Sequence, residues 1–151
     1  MKITLSINSE HAVELSYKAV VSCLDDLGDA PELADFFSAL ISHPSSNVRY
    51  ILAQKECLPI ADLAILAKDP HMEVIREVSQ NKTALNGLSA DLFIGMIERD
   101  ICIAMELVGR LKHLKNDAIR NSVIDAMRKC KDPELIEKLD KYISNCSGSG
   151  I

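Results

Sequence analysis

The stretch Leu40-Ile-Ser-His43-Pro44-Ser-Ser-Asn47-Val48-Arg49-Tyr50-Ile-Leu52-Ala53 is followed by Leu58-Pro59 and then by Leu63-Ala-Ile-Leu66-Ala67-Lys-Asp69-Pro70-His71-Met-Glu73-Val74-Ile75-Arg76-Glu77-Val78-Ser79-Gln80. Laying Pro44 on Pro70, a shift of 26, sets Leu40 on Leu66, Val48 on Val74, Leu52 on Val78 and Gln54 on Gln80. Self-similarity at a period of roughly 20–50 residues marks a repeat architecture, in which each unit buries its apolar face only by stacking on the next. The unit here is a helix, a turn containing proline, and a second helix.

These residues carry a resemblance. His43-Pro44, Val48-Arg49, Leu52-Ala53, Leu58-Pro59, Leu63-Ala64, Leu66-Ala67, Asp69-Pro70 and Val74 resemble the leucine-rich repeat variant, a bacterial relative of the HEAT and armadillo helical repeats. The likeness covers Phe36 to Leu88, about a third of the chain. It departs in the second copy, where the arginine due after Val74 is Ile75, with Arg76 one place late, and the proline due at Leu85 is missing. The resemblance implies an all-α, right-handed α-solenoid of short helices. It implies no activity, because such proteins share a shape and not a reaction.

Composition agrees with a helical core. The chain has 151 residues, one domain's worth, with 48% hydrophobic and 26% charged residues. Aromatics are only 4% and tryptophan is absent, so the core must be Leu, Ile, Val, Ala and Met. No apolar run approaches the roughly 18 residues that span a bilayer, and Met1–Ile7 lacks the apolar core of a signal peptide. A cytoplasmic location is expected. Cys23, Cys57, Cys102, Cys130 and Cys146 are scattered and odd in number, without a Cys-x-x-Cys pair, so neither metal nor disulfide framework is expected. Cys23, Cys102 and Cys130 are expected as small buried hydrophobes. The net charge is −5, with residues 1–75 at −6 and residues 76–151 at +1. Such a field favours a basic partner and repels phosphate backbones.

Taken in order, Ile3, Leu5 and Ile7 alternate, which suggests an extended N-terminal arm over residues 1–8 packed along the first helix. Ser9 is the expected cap of that helix, which runs to Gly28. Asp29-Ala-Pro31 opens a second helix burying Leu33, Phe36, Phe37, Leu40 and Ile41. The repeat proper supplies helices after Ser45–Asn47, Pro59 and His71, then a loop at Asn81–Gly87. Ser89 caps the next helix, Arg99-Asp100 marks a turn, Asn116-Asp117 caps another helix, and Lys131-Asp-Pro133 opens the last. About nine helices are expected in one domain over residues 1–144, with a flexible tail at 145–151.

Catalytic patterns are absent from the sequence. His43 and His71 sit beside prolines in turns, where capping or solvation is the plain role. There is no Gly-rich phosphate loop and no Gly-x-Ser-x-Gly elbow. Arg110-Leu-Lys112-His113-Leu-Lys115, with Arg120, is the best nucleic-acid signal, but Asp100, Glu106 and Asp117 flank it and the isoelectric point is about 5.3. Nucleic acid is therefore disfavoured, and no enzyme, cofactor or membrane partner is expected. In helical solenoids the second helix of each pair lines the concave face. That places Arg49, Tyr50, Gln54, Glu73, Arg76 and Glu77, with Gln80 and Asn81, outward or at its edge. Arg49 has an alternative, an internal ion pair to Asp69 or Glu73. Asp25, Asp26 and Asp29 add an acidic stretch that solvates a helix end or meets a basic partner. The expectation is a monomer or heterodimer that binds protein without catalysis. Its sharper form is an immunity protein neutralising a basic toxin or nuclease; a HEAT-like nucleic-acid-binding or repair protein, and a generic adaptor, stand as alternatives.

Overall fold

The computed structural model describes residues 3–7, 11–114 and 116–147. After two strands, β1 (Thr4–Ile7) and β2 (His11–Glu14), the chain is helical: α1 (Tyr17–Asp26), α2 (Ala34–Ser38), α3 (Ser46–Gln54), α4 (Ile60–Leu66), α5 (Met72–Gln80), α6 (Lys82–Gly87), α7 (Ala90–Arg99), α8 (Ile101–Val108), α9 (Asp117–Lys129) and α10 (Pro133–Ser147). Short 3-10 turns lie at Pro31–Leu33 and Leu111–His113. No helix among the described residues is long and apolar enough to cross a membrane.

The helices fall into two rows. The second helices pack in chain order, α1 on α3, α3 on α5, α5 on α8 and α8 on α10, while α4 meets α6 and α7 meets α9 in the other row. In this row α1, α3 and α5 run parallel. At its start edge the Tyr17 hydroxyl receives hydrogen bonds from Asn47 and Ser45. At its finish edge Lys55 donates to the Leu27 carbonyl, and Asn81 donates to the carbonyls of Ala53 and Lys55. Between the rows lies one continuous core, from Val20 to Leu139, of aliphatic side chains with Phe37, Phe93 and two methionines. Each helix contributes the stripe set by 3.6 residues per turn, such as Val48, Ile51 and Leu52 on α3 and Val74, Ile75 and Val78 on α5.

Several expectations need correction. The N-terminal segment is not an arm. Thr4–Ile7 pairs antiparallel with His11–Glu14, in the register Leu5 to Val13, so each strand satisfies the other's ladder and no outside edge is required. The first helix therefore starts at Tyr17 under a Ser16 cap; the expected cap Ser9 lies outside the described residues. Asn81–Gly87 is not a loop. Asn81 accepts from the amides of Thr83 and Ala84 and starts α6, which buries Ala84 and Leu85 where a proline was due. This extra turn makes ten α-helices among the described residues instead of about nine, and lengthens the repeat. Leu58-Pro59 recurs not at 84–85 but as Leu88-Ser89, a shift of 30, with Leu58 and Leu88 equally buried ahead of α4 and α7. Phe36 is partly exposed, because a 3-10 turn rotates the short α2 and sends only Phe37 inward. Cys23, Cys102 and Cys130 are exposed: Val20 and Leu24 take the buried stripe of α1, Ile103 and Ala104 that of α8, and Cys130 caps the end of α9. Asn145–Ser147 continue α10 and are not tail; residues 148–151 lie outside the described residues.

Candidate functional site

Arg49, the residue placed outward by its position on α3, points inward. Its side chain is only 10% exposed and its Nε lies 2.5 Å from Asp69 Oδ2, with Nη2 3.1 Å from Oδ1. Its Nη1 donates to the carbonyls of His43 at 2.6 Å and Pro44 at 3.1 Å. The guanidinium thus closes the turn before its own helix and grips the turn of the next pair. Asp69 also accepts from the His71 amide at 2.9 Å. Burial pushes the Asp69 carboxyl up, but the bonds from Arg49 and the His71 amide outweigh it and hold it below the usual carboxylate range. The internal pair to Asp69 is therefore the role this structure gives Arg49, and Arg49 offers little surface to a partner.

His43 is buried beside this pair and takes the Ser45 amide on Nδ1. Burial, then the Arg49 charge, pushes its pKa down, so the ring stays neutral with its proton on Nε2. The exposed His71 stands on the other side, with Nδ1 3.0 Å from Arg49 Nη2. The same Nδ1 lies 3.4 Å from Asp69 Oδ1. A shallow cleft of about 700 Å³ over these groups is lined by the two turns, His43-Pro44 and Lys68–His71, with Ala64 and Ile65 of α4. At its base Arg49 and Asp69 are committed to each other and to the backbone of the two turns.

The remaining candidates separate into two places. Tyr50 and Glu73 share a groove at the start edge of α3 and α5. The Tyr50 hydroxyl bonds Glu77 and Gln54, and the charge of Glu77 is the main cause that raises its pKa. Gln54 is exposed and Glu77 half-buried. Arg76 reaches across to Asp100 with both Nε and Nη2, while Gln80 bonds Glu106 at 2.9 Å. Asn81, expected at the edge, is buried as the joint described above. Asp25, Asp26 and Asp29 lie exposed at the opposite, finish edge. Asp25 and Asp26 sit in the last turn of α1, where no basic residue offsets the helix dipole, and Asp29 accepts from the Glu56 amide at 2.9 Å. The structure does not bring the acidic stretch and the Tyr50 groove together.

The basic cluster is largely consumed by the fold. Arg110 donates to Gln80 Oε1, and Arg120 to the carbonyls of Leu111 and Leu114 and to Asp117. Lys112 and His113 are exposed; Lys115 lies outside the described residues. Among the described residues, no three His, Cys, Asp or Glu side chains are grouped so as to hold a metal.

The sequence missed two structural arginines. Arg99 donates to the carbonyls of Asp69 at 2.7 Å and Pro70 at 3.4 Å, and Arg120 closes the turn before α9. A cue was available for Arg120, whose helix borders the turn it closes; Arg99 reaches a turn 29–30 residues upstream, which no local signal marks. Comparison with protein-family models, with curated proteins and with solved structures finds no match.

Proposed function

We propose that this chain is a non-catalytic, protein-binding right-handed α-solenoid, of the leucine-rich repeat variant and HEAT kind, acting in the cytoplasm. Its partner lies along the concave side, lined by α1, α3, α5, α8 and α10. One observation carries the proposal: Arg49, Arg76, Arg99 and Arg110 are spent on joints between helix pairs, while Tyr50, Gln54 and Glu73 stand on the second-helix row as exposed side chains. Tyrosine contributes large contact area at small entropic cost, which suits a binding surface. The excess of acid in residues 1–75 favours a basic partner and faster encounter with it. In its sharpest form the chain is a stoichiometric inhibitor of a basic toxin or nuclease. A generic adaptor would use the same surface. The commitment of Arg110 and Arg120 to carbonyls argues against a nucleic-acid track.

Affinity capture tests this with two tagged chains, the wild type and Tyr50→Ala/Gln54→Ala, at low and moderate salt and with nuclease treatment. The expected result is one basic protein at equal stoichiometry, held by the wild type and lost from the variant. Equal capture by both chains would move the surface elsewhere. Capture of nucleic acid in place of protein would overturn the proposal.

A further inference from the structure

The groove at the start edge of α3 and α5 has a chemistry of its own. It is a depression of about 580 Å³ lined by Ser46, Asn47, Tyr50, His71, Glu73 and Val74. Val74 lies beneath it, fully buried. Its wall is aromatic: Tyr50 is 37% exposed. In a protein that is 4% aromatic, an open tyrosine on a depression stands out.

The charge around the groove is unbalanced. The two nearest guanidiniums are already neutralised, Arg49 by Asp69 and Arg76 by Asp100. Neither Glu73 nor Glu77 has an ion pair among the described residues; Glu77 is bonded by the neutral Tyr50 hydroxyl. His71 stands beside it, with Nδ1 3.0 Å from Arg49 Nη2 and 3.4 Å from Asp69 Oδ1. A tyrosine wall and an unpaired carboxylate together match a planar cation. A guanidinium stacks on an aromatic face and meets a carboxylate with two parallel hydrogen bonds, which a compact ammonium cannot do as well.

Resting on the protein-binding role above, we propose that this groove receives an arginine side chain of the partner, its guanidinium between Tyr50 and Glu73. The Asp25–Asp29 stretch at the far edge is then a general attractor and not the seat of recognition.

Solution NMR of the isotopically labelled chain tests this with the capped peptide Gly-Arg-Gly-Arg-Gly and its citrulline counterpart, which keeps the shape and removes the charge. The expected result is a set of amide shifts confined to Asn47, Tyr50, Glu73 and Val74, produced by the arginine peptide alone. Tyr50→Ala should weaken that binding by about two- to fivefold, as loss of an exposed cation–π contact implies, and Tyr50→Phe should keep it. Glu73→Gln should weaken it by a similar factor, about two- to fivefold, as for an exposed ion pair. Equal shifts from both peptides, shifts centred on Asp25–Asp29, or none at saturating peptide would each overturn the assignment. Protein capture that depends on Tyr50 and Gln54 while the peptide fails would sink the groove and leave the scaffold standing. Peptide binding without any captured protein would do the reverse.

Discussion

Two arginine–aspartate bridges cross between neighbouring helix pairs, alike at the acceptor and different at the donor. Arg49 on α3 reaches Asp69 in the α4–α5 turn; Arg76 on α5 reaches Asp100 in the α7–α8 turn. Both aspartates accept the amide two residues on, from His71 and from Cys102, so the acceptor is built the same way twice. The donors are not. Arg49 follows Val48 directly, whereas Ile75 stands in that place after Val74 and is fully buried. The arginine one residue later is turned by about 100° around the helix, and the Arg76 side chain is 41% exposed. Having left the interior, Arg76 no longer reaches the carbonyls of its own turn. Arg99, at the end of α7, closes that turn. One position in the sequence thus decides whether a joint is sealed from within a pair or from the pair behind it.

The largest expected effect lies at the buried bridge. Asp69→Ala leaves the Arg49 charge buried without its partner, and about 3–5 kcal/mol of stability should be lost; urea unfolding with a circular-dichroism readout measures it. A loss under 1 kcal/mol would mean that water reaches Arg49 as freely as Arg76. Next is Asn81→Ala, which removes both the cap of α6 and the two bonds to the Ala53 and Lys55 carbonyls. A loss of about 1–3 kcal/mol is expected in the same assay, with the leading edge of α6 losing amide protection first.

The third expectation is a pH dependence. The folded pKa of His43 is depressed, so its contribution is fully present above the unfolded value of about 6.5 and is lost as pH falls through the folded value. Wild-type stability should decline below about pH 6.5 more steeply than that of His43→Gln, compared by thermal melts across the acid range. Parallel curves would show that the Ser45 amide does not hold the ring neutral. The smallest effect belongs to the exposed bridge: Arg76→Ala should cost no more than about 1 kcal/mol, and less as salt rises. A cost equal to that of Asp69→Ala would erase the contrast between the two joints.

Much of the helical framework could be read from the chain. The prolines at 44, 59, 70 and 133 and the capping residues at 100 and 116 stand at helix boundaries as expected. The all-helical character of the chain beyond its hairpin follows the 3.6-residue apolar stripe. The hairpin and α6 were hidden for a shared reason. Each depends on hydrogen bonds that periodicity does not report: a ladder between two four-residue strands, and an asparagine cap that also bonds carbonyls 26–28 residues upstream. Of the candidate surface residues, Tyr50, Gln54 and Glu73 stand in the open on the second-helix row. Arg49 faces in because its guanidinium finds an aspartate and two turn carbonyls together, a convergence no single position signals. Lys131, in the left-handed region at φ 55°, is another such case, holding a helix-ending conformation that glycine more often supplies.

The reach of Arg99 back to Asp69 and Pro70 has a consequence for how the molecule opens. A turn closed by a side chain from the following pair loosens only when that side chain lets go. Freeing the Asp69 and Pro70 carbonyls means breaking the bonds from Arg99 at the end of α7, and α7 is seated on α8 and α9. The α2–α3 turn, closed by Arg49 from its own pair, carries no such debt to the third pair. Hydrogen exchange should therefore divide the chain asymmetrically: the His43–Ser45 region reporting the opening of its own joint, and the Lys68–His71 region breathing in step with α7.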